Sequence, residues 1–305
     1  MSPADWLWIP VTVWAAFAQT VRNAAQRSLV AELGTLGATL VRFLYGLPFS
    51  IVWLAGVLLV IGQAMPGPNR DFVAWVSLGG VSQIAATALL LRVMTERNFA
   101  LGVAYSKTEI VLVAVFGLVF LGDEVSALAA IAVGLATGGL LLISSPPGDA
   151  PLTGIVKGWT TRVAALGLIC GACFALAAVS YRGAALSLDD SSKTVAAAYA
   201  LVWAQAIQTL LLGGSLVARA PAAIRGVLRE WRMSTGAGLM GAAASIGWFT
   251  AFSLEPVAHV RTLGLAEMLF SFAVSRRLFR EGSRPAEIVG IGLLTCGLVV
   301  ITLSA

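Results

Sequence analysis

Two side chains of opposite charge, Lys107 and Glu109, precede an apolar run that extends from Ile110 to Gly122. The surrounding sequence is AYSKTEIVLVAVFGLVFLGDE. At the centre of a bilayer a charged side chain costs about 2.5–3.5 kcal/mol on insertion scales, so each charge must face a partner, the protein interior or a water-filled cavity. Residues two apart on a regular helix point to nearly opposite sides. We therefore expect Lys107 to pair with a neighbouring helix while Glu109 lines a cavity. The alternative is a helix that unwinds locally within AYSKTE.

The composition indicates which elements hold these charges. Of 305 residues, 58% are hydrophobic and 11% are charged, whereas soluble domains carry about 25% charged residues. Apolar runs of roughly 20 residues, the membrane-spanning length, recur along the chain. They are continuous rather than alternating, which favours helices over barrel strands. The sequence therefore predicts an all-α polytopic membrane protein. Nucleic acid is not an expected partner, because no basic stretch is interleaved with aromatic residues and membrane loops also give a positive balance.

Glycine, proline and charged residues divide the apolar sequence into ten predicted transmembrane helices. Their approximate bounds are 6–22, 35–62, 72–94, 99–121, 126–144, 161–186, 194–218, 234–254, 257–279 and 285–304. A linker-like segment, SSPPGDAPLTGIVKG, lies almost at the midpoint. The domain prediction is a first five-helix repeat over 1–145, a linker over 146–158 and a second five-helix repeat over 159–305.

An internal repeat supports this division. A shift of 158 positions aligns GLATGGLLLI (134–143) with GLLTCGLVVI (292–301), and six of the ten positions are identical. The same gapless shift pairs Glu109 with Glu267. Because five is an odd number of helices, the second half must enter the membrane in the opposite sense. Inverted repeats of this kind place a shared site near the midplane, as in many transporters.

The order of motifs resembles a known family. A span that ends in FLGDEVS precedes a glycine-rich helix, and RLFREGSRPAEIVGIGLL occupies the matching place in the second half. With the ten spans, this pattern resembles the EamA-type branch of the drug/metabolite transporter superfamily. The resemblance implies a secondary transporter, often an exporter of amino acids, amines or other small metabolites. The family often carries a proline in the middle of the fourth and ninth helices, where this chain has Glu109 and Glu267.

Glu109 and Glu267 lie near the centres of their predicted spans. Their matching positions favour a carboxylate site for protons or cations, because one of two neighbouring carboxylates readily holds a proton. The alternative is a structural role in which each carboxylate pairs with a lysine or arginine. We expect Lys107 to be a structural or gating counter-ion rather than a substrate ligand. Tyr105 shares a helix face with Glu109. Arg42 either anchors an anionic group or snorkels to the headgroups from the second span.

Aromatic and amide residues are candidate cavity walls. The rings of Trp14, Trp203 and Trp248 lie deep in the predicted spans, where their faces could receive an organic cation or an aromatic ring. Gln83 could line the same cavity with its amide. These four residues complete the predicted substrate-binding or coupling set.

Other reactive residues predict no cofactor. His259 is the sole histidine, which argues against a histidine-based metal site. His259 and Arg261 begin the ninth predicted span, so interfacial placement is the expectation for both. Cys170 and Cys173 form a C-x-x-C inside an apolar helix with no cation to stabilise a thiolate, so packing is favoured over redox chemistry.

The leading hypothesis is a secondary transporter that works by alternating access. It exports a small polar or amphipathic metabolite, with proton coupling through Glu109 or Glu267 as an option, and acts as a monomer in a bacterial inner (plasma) membrane. Two alternatives remain: a passive channel or lipid flippase, and a membrane-embedded transferase. The transferase would need clustered carboxylates for magnesium, and the candidate is the pair Asp189 and Asp190. We find no Walker A pattern for ATP-driven pumping.

Overall fold

The computed structural model describes residues 6–96, 106–107, 109–123, 126–143, 162–188, 191–278 and 285–303. Tyr105, Asp189, Asp190 and the predicted linker lie outside these ranges. The α-helices of the described residues are α1 Trp8–Leu44, α2 Leu47–Ile61, α3 Arg70–Glu96, α4 Glu109–Phe116, α5 Ala127–Ile143, α6 Arg162–Leu186, α7 Lys193–Arg219, α8 Pro221–Arg229, α9 Trp231–Leu254, α10 Val257–Leu263, α11 Ala266–Arg277 and α12 Pro285–Leu303. A π-helical turn, Gly117–Leu121, extends α4.

The helices have the length and surface of membrane spans. Six helical segments of the described residues are long and apolar enough to cross a bilayer: Trp8–Ile61, Arg70–Glu96, Arg162–Leu186, Lys193–Arg219, Trp231–Leu254 and Val257–Arg277. The outer surface is apolar, with Leu59 83% and Val60 88% exposed, whereas Arg22 and Glu109 are buried. Soluble proteins ordinarily bury apolar side chains and expose charged ones. The reverse distribution is expected of a protein that is surrounded by lipid. The chain is therefore an all-α integral membrane protein, as predicted.

The first segment, Trp8–Ile61, folds back on itself at Gly34. Its 54 residues would reach about 80 Å as one straight helix, more than twice the hydrocarbon thickness. Gly34 has φ 67° and ψ 170°, a conformation that glycine adopts without a Cβ clash. The side chain of Gln26 donates a hydrogen bond to the carbonyl of Ala38 (2.6 Å), although twelve residues span about 18 Å along a helix. The two arms of α1, before and after Gly34, therefore lie side by side.

Three helix pairs pack most extensively: α1 with α9, α3 with α6, and α5 with α12. Helices α5 and α12 touch through reciprocal glycines. A Cβ atom at Gly139 would lie 2.5 Å from the carbonyl oxygen of Gly290, and one at Gly297 would lie 2.9 Å from the carbonyl oxygen of Ala132. Both the glycines and the carbonyls are separated by 158 residues. The two helices thus pack antiparallel, backbone against backbone, with each half contributing the same surface.

Replacing Gly139 or Gly297 with alanine is expected to lower the free energy of unfolding by about 1–3 kcal/mol each, because the added methyl group overpacks the facing backbone. The matched controls are Gly134→Ala and Gly292→Ala, where a Cβ meets no atom within 4 Å. Alanine there should be neutral or stabilising by up to about 1 kcal/mol. Thermal unfolding in detergent measures all four variants. Equal losses in the controls would contradict the reciprocal packing.

Candidate functional site

Both predicted acids lie where a helix begins within the protein interior. Glu109 is the first residue of α4, and Glu267 is the second residue of α11, just after the break that separates α11 from α10. The break is fixed by close packing, since a Cβ at Gly264 would lie 2.6 Å from the Trp248 ring. The positive end of the helix dipole favours a carboxylate at a helix start. Each acid is 1% exposed, so these helix starts hold two buried carboxylates.

Lys107 joins the two carboxylates. Its Nζ atom contacts Oε2 of Glu267 and lies 3.5 Å from Oε1 of Glu109. Lys107 forms a turn rather than part of a regular helix, so the opposite-sides rule for residues two apart does not apply. The lysine therefore contacts Glu267 on a neighbouring helix and also approaches the carboxylate two residues ahead. The first contact agrees with the favoured expectation, whereas the turn at Lys107 agrees with the alternative of local unwinding.

Arg261 completes the ion-paired group from the second half of the chain. Its Nη1 atom lies 3.4 Å from Oε1 of Glu109. Its guanidinium carbon lies 4.7 Å from the Trp248 ring centroid and 5.1 Å from that of Phe252, within the range of cation–π attraction. The predicted interfacial placement of Arg261 is wrong: the residue is 6% exposed, because α10 starts inside the helix bundle. His259 is also buried, and its Nδ1 lies 2.6 Å from Oε1 of Glu255.

Amide side chains from α1 hold Glu267 in place. Gln19 donates to Oε2 (2.6 Å) and Asn23 donates to Oε1 (2.9 Å). The indole N–H of Trp248 donates to Oε1 of Gln19 (2.8 Å), which sets the orientation of that amide. Each carboxylate oxygen of Glu267 thus accepts at least one hydrogen bond inside the protein. By contrast, Oε2 of Glu109 has no hydrogen-bond partner among the described residues.

Two further arginines lie beside this group. Arg22 donates from Nη2 to Oδ1 of Asn23 (2.6 Å), and Arg42 donates from Nη1 to the hydroxyl of Thr87 (3.2 Å). Both pack against Gly241, where a Cβ atom would lie 3.3 Å from Cδ of Arg22 and 3.4 Å from Cγ of Arg42. Arg42 is buried within the bundle rather than snorkelling to the surface. Arg22 was not a predicted site residue, because the first predicted span ended there.

The six charged side chains form one group, named here the charge cluster: Arg22, Arg42, Lys107, Glu109, Arg261 and Glu267. Contacts link Lys107, Glu109, Arg261 and Glu267 directly. Asn23 bridges Arg22 to Glu267, since it accepts from Arg22 and donates to Oε1 of Glu267, and Arg42 packs beside Arg22 on Gly241. Residues from both predicted halves of the chain therefore meet in one buried polar site.

Gln83 belongs to a separate polar group. Its Oε1 accepts hydrogen bonds from the Tyr181 hydroxyl (3.0 Å) and from Nε2 of Gln208 (2.8 Å). Thr87, the acceptor for Arg42, follows Gln83 by one turn of α3. The amide group around Gln83 is therefore adjacent to the charge cluster along α3.

The three predicted tryptophans have different surroundings. Trp248 packs in the charge cluster as described above. Trp203 stacks edge-on against Phe72, with ring centroids 5.8 Å apart, in a second hydrophobic cluster. Trp14 is 49% exposed on the outer surface beside Phe17, so it lies away from the cluster instead of lining a cavity. Tyr105 is outside the described residues.

Comparison with known proteins identifies the fold but no family. No family model and no curated protein matches the chain. A solved structure described only as "Crystal structure of protein" aligns with 100% of this chain and 98% of its own, with a TM-score of 0.66 and 15% identity. At this level of identity the similarity shows that the two chains share a fold over their full length.

Proposed function

We propose that the chain is a secondary transporter that exports a small polar or amphipathic organic solute by alternating access between two inverted five-helix repeats. The observation that carries this proposal is the charge cluster. It unites Lys107 and Glu109 from the first half with Arg261 and Glu267 from the second, beside the break between α10 and α11 of a membrane protein. Ionisable groups and broken helices at the junction of two repeats are typical of transporter sites.

Matching helix ends support ten spans in two repeats. Helices α2 and α7 end at Ile61 and Arg219. These two helix ends are 158 residues apart, the spacing that relates Glu109 to Glu267. Because α1 folds back at Gly34, its two arms belong to different segments. With this division, the spacing pairs five helical segments of the first half with five of the second.

The antiparallel packing of α5 on α12 supports inversion. Equivalent helices that contact each other through the same glycine must be related by a two-fold axis perpendicular to both. When the helices cross the membrane, that axis lies in the membrane plane, which is the geometry of an inverted repeat. Under the 158-residue shift, the first arm of α1 corresponds to α6, and α3 corresponds to α9. The contact between α1 and α9 is therefore equivalent to the contact between α6 and α3, and both are among the most extensive packings. This architecture agrees with the proposed EamA-type membership and with an inner-membrane location.

Counterflow in proteoliposomes tests the proposed transport. Vesicles that contain the protein are preloaded with unlabelled solute and diluted into the same labelled solute, over a panel of amino acids, amines, organic acids and sugar phosphates. A carrier produces a transient accumulation of label for its substrate, because one site exchanges solute across the bilayer. A channel or flippase gives no such overshoot, so leak without overshoot would contradict the proposal. Protein-free vesicles are the control.

Proton coupling is tested by Glu109→Gln and Glu267→Gln. A proton on either carboxylate removes one of the two negative charges that Lys107 contacts. The position of the Lys107 side chain is therefore expected to respond to protonation. Glutamine keeps the size but cannot titrate, and each variant is expected to lose most of its pH-gradient-driven uptake while counterflow persists. The control is Glu96→Gln, since Glu96 forms an exposed ion pair with Arg92. Unchanged gradient-driven uptake in both glutamine variants would exclude the coupling role.

A further inference from the structure

The charge cluster carries more positive than negative charge. Among the described residues that are more than nine-tenths buried, four side chains are cationic, Arg22, Arg42, Lys107 and Arg261, and two are carboxylates, Glu109 and Glu267. Buried charges are ordinarily paired, since a single one loses its hydration without compensation. The cluster therefore has two positive charges that its own carboxylates do not balance.

The unbalanced charge lies on Arg22 and Arg42. Both carboxylates are already within 4 Å of Lys107 or Arg261. In the described parts of the chain, Arg22 and Arg42 have neutral acceptors instead, the amide of Asn23 and the hydroxyl of Thr87. Nη1 of Arg22 and Nε of Arg42 are buried without a hydrogen-bond partner there.

The two arginines share one location. Both pack their aliphatic stems against Gly241, although they come from opposite arms of α1, and they repel each other electrostatically. Among the described residues neither guanidinium group directly contacts a carboxylate. Two such groups side by side match the oxygens of a carboxylate or phosphate, which accept charge-assisted hydrogen bonds from several N–H groups. An incoming oxyanion would remove the repulsion and pair the free donors.

We infer that Arg22 and Arg42 bind the oxyanion group, carboxylate or phosphate, of an anionic organic solute. This inference rests on the proposed transport function and names its substrate class. An excess of two positive charges suits a dianion best. Lys107 and Arg261 hold Glu109 and Glu267 and are positioning residues in this assignment, while the guanidinium groups of Arg22 and Arg42 contact the solute.

A stability series on the unaltered protein tests the charge preference. Succinate and glycerol 3-phosphate are the anionic probes, putrescine is the matched four-carbon dication, and glycerol is the neutral counterpart, all at constant ionic strength. A solute that binds the folded protein raises its Tm. We expect at least one of the two anions to raise it by about 2 °C or more, and putrescine and glycerol to leave it unchanged. Stabilisation by putrescine or glycerol alone, or by none of the four, would overturn the assignment.

Substitutions locate the binding site. Arg22→Gln and Arg42→Gln are each expected to weaken anion binding at least about tenfold, the loss typical of one charge-assisted contact. Arg92→Gln, at an exposed position, should leave binding unchanged. If the glutamine variants do not fold, Arg22→Lys and Arg42→Lys replace them. Lysine keeps the positive charge but lacks the paired N–H donors of a guanidinium group, so these variants should bind the same anion more weakly. Anion binding that is equal in all folded variants would place the anion elsewhere and refute the inference.

Flux measurements separate this inference from the transport proposal. Counterflow of labelled succinate or glycerol 3-phosphate supports both. Counterflow confined to putrescine or neutral solutes refutes the oxyanion assignment and leaves the transporter intact. Anion-dependent stabilisation without counterflow of any solute refutes transport and leaves the anion site intact.

Discussion

Replacing Lys107 with methionine is expected to lower the free energy of unfolding by about 3–5 kcal/mol, the cost of breaking a buried ion pair from one side. Methionine has a similar length but no charge. In the unaltered protein, the Nζ atom of Lys107 contacts carboxylate oxygens of both Glu109 and Glu267. Each of these acids is 1% exposed. Within the described residues, the variant therefore leaves Glu267 with the hydrogen bonds from the amides of Gln19 and Asn23, and Glu109 with the ion pair to Arg261.

A second substitution separates charge from packing. In Lys107→Met/Glu267→Gln the net charge of the cluster is unchanged, so we expect the double variant to recover at least half of the stability lost by Lys107→Met. Coupling energies of contacting residues, about 0.5–3 kcal/mol, fall in this range. A thiol-reactive fluorophore measures unfolding in a Cys173→Ala/Cys296→Ala background, because Cys170 is buried in the folded protein whereas Cys173 is half-buried and Cys296 is exposed. Additive losses in the double variant would show that Lys107 and Glu267 are not coupled and would contradict their ion pair.

The sequence alone predicted the helical membrane fold and the burial of two acids. Both predictions rest on the large free-energy cost of placing a charge in hydrocarbon. Because of this cost, Glu109 and Glu267 stand out within their apolar runs. The sequence also singled out Lys107. It could not decide between a regular and an unwound helix at Lys107, because that choice depends on which partner the lysine meets in space.

Arg22 and Arg261 illustrate what hydropathy misses. Both lie near an end of a predicted span, where a charge is ordinarily solvated. The structure extends the first helical arm to the break at Gly34, so Arg22 lies well inside it. A signal was present: Gln19, Arg22, Asn23 and Gln26 follow the spacing of one helix face. A polar face on an apolar helix indicates burial against other polar groups rather than the end of a span.

The repeat alignment shows a second limit. It aligned Gly134 with Gly292 and Gly139 with Gly297 equally well. Only Gly139 and Gly297 lie against a facing backbone, whereas Gly134 and Gly292 face open space. Identity between two halves therefore indicated equivalent positions, but which glycine makes the contact depends on how α5 crosses α12.

Arg182, near the C-terminal end of α6, links three elements of the fold. Its replacement is the second substitution that we expect to lower the free energy of unfolding strongly. Nη2 lies 3.0 Å from Oδ1 of Asp123, and Nη1 donates to the carbonyl oxygens of Phe252 (2.6 Å) and Glu255 (2.9 Å). These carbonyls belong to the end of α9, where a cation satisfies unpaired acceptors and the negative end of the helix dipole. Asp123 directly follows the π-helical turn and Gly122, whose φ is 67°.

We therefore expect Arg182→Met to lower the free energy of unfolding by about 3 kcal/mol, because one substitution removes an ion pair and two charge-assisted hydrogen bonds. Asp123→Asn should cost about 1 kcal/mol, since asparagine keeps an acceptor for Arg182 and leaves both carbonyl contacts in place. Arg92→Met, at an exposed ion pair, should lie within about 0.5 kcal/mol of the unaltered protein. Thermal unfolding of the three variants in one detergent gives their losses in free energy of unfolding, and the order of these losses tests the prediction. If Asp123→Asn costs as much as Arg182→Met, the ion pair dominates and the contacts to the end of α9 contribute little. That result would contradict the role of Arg182 as a link between α6 and α9.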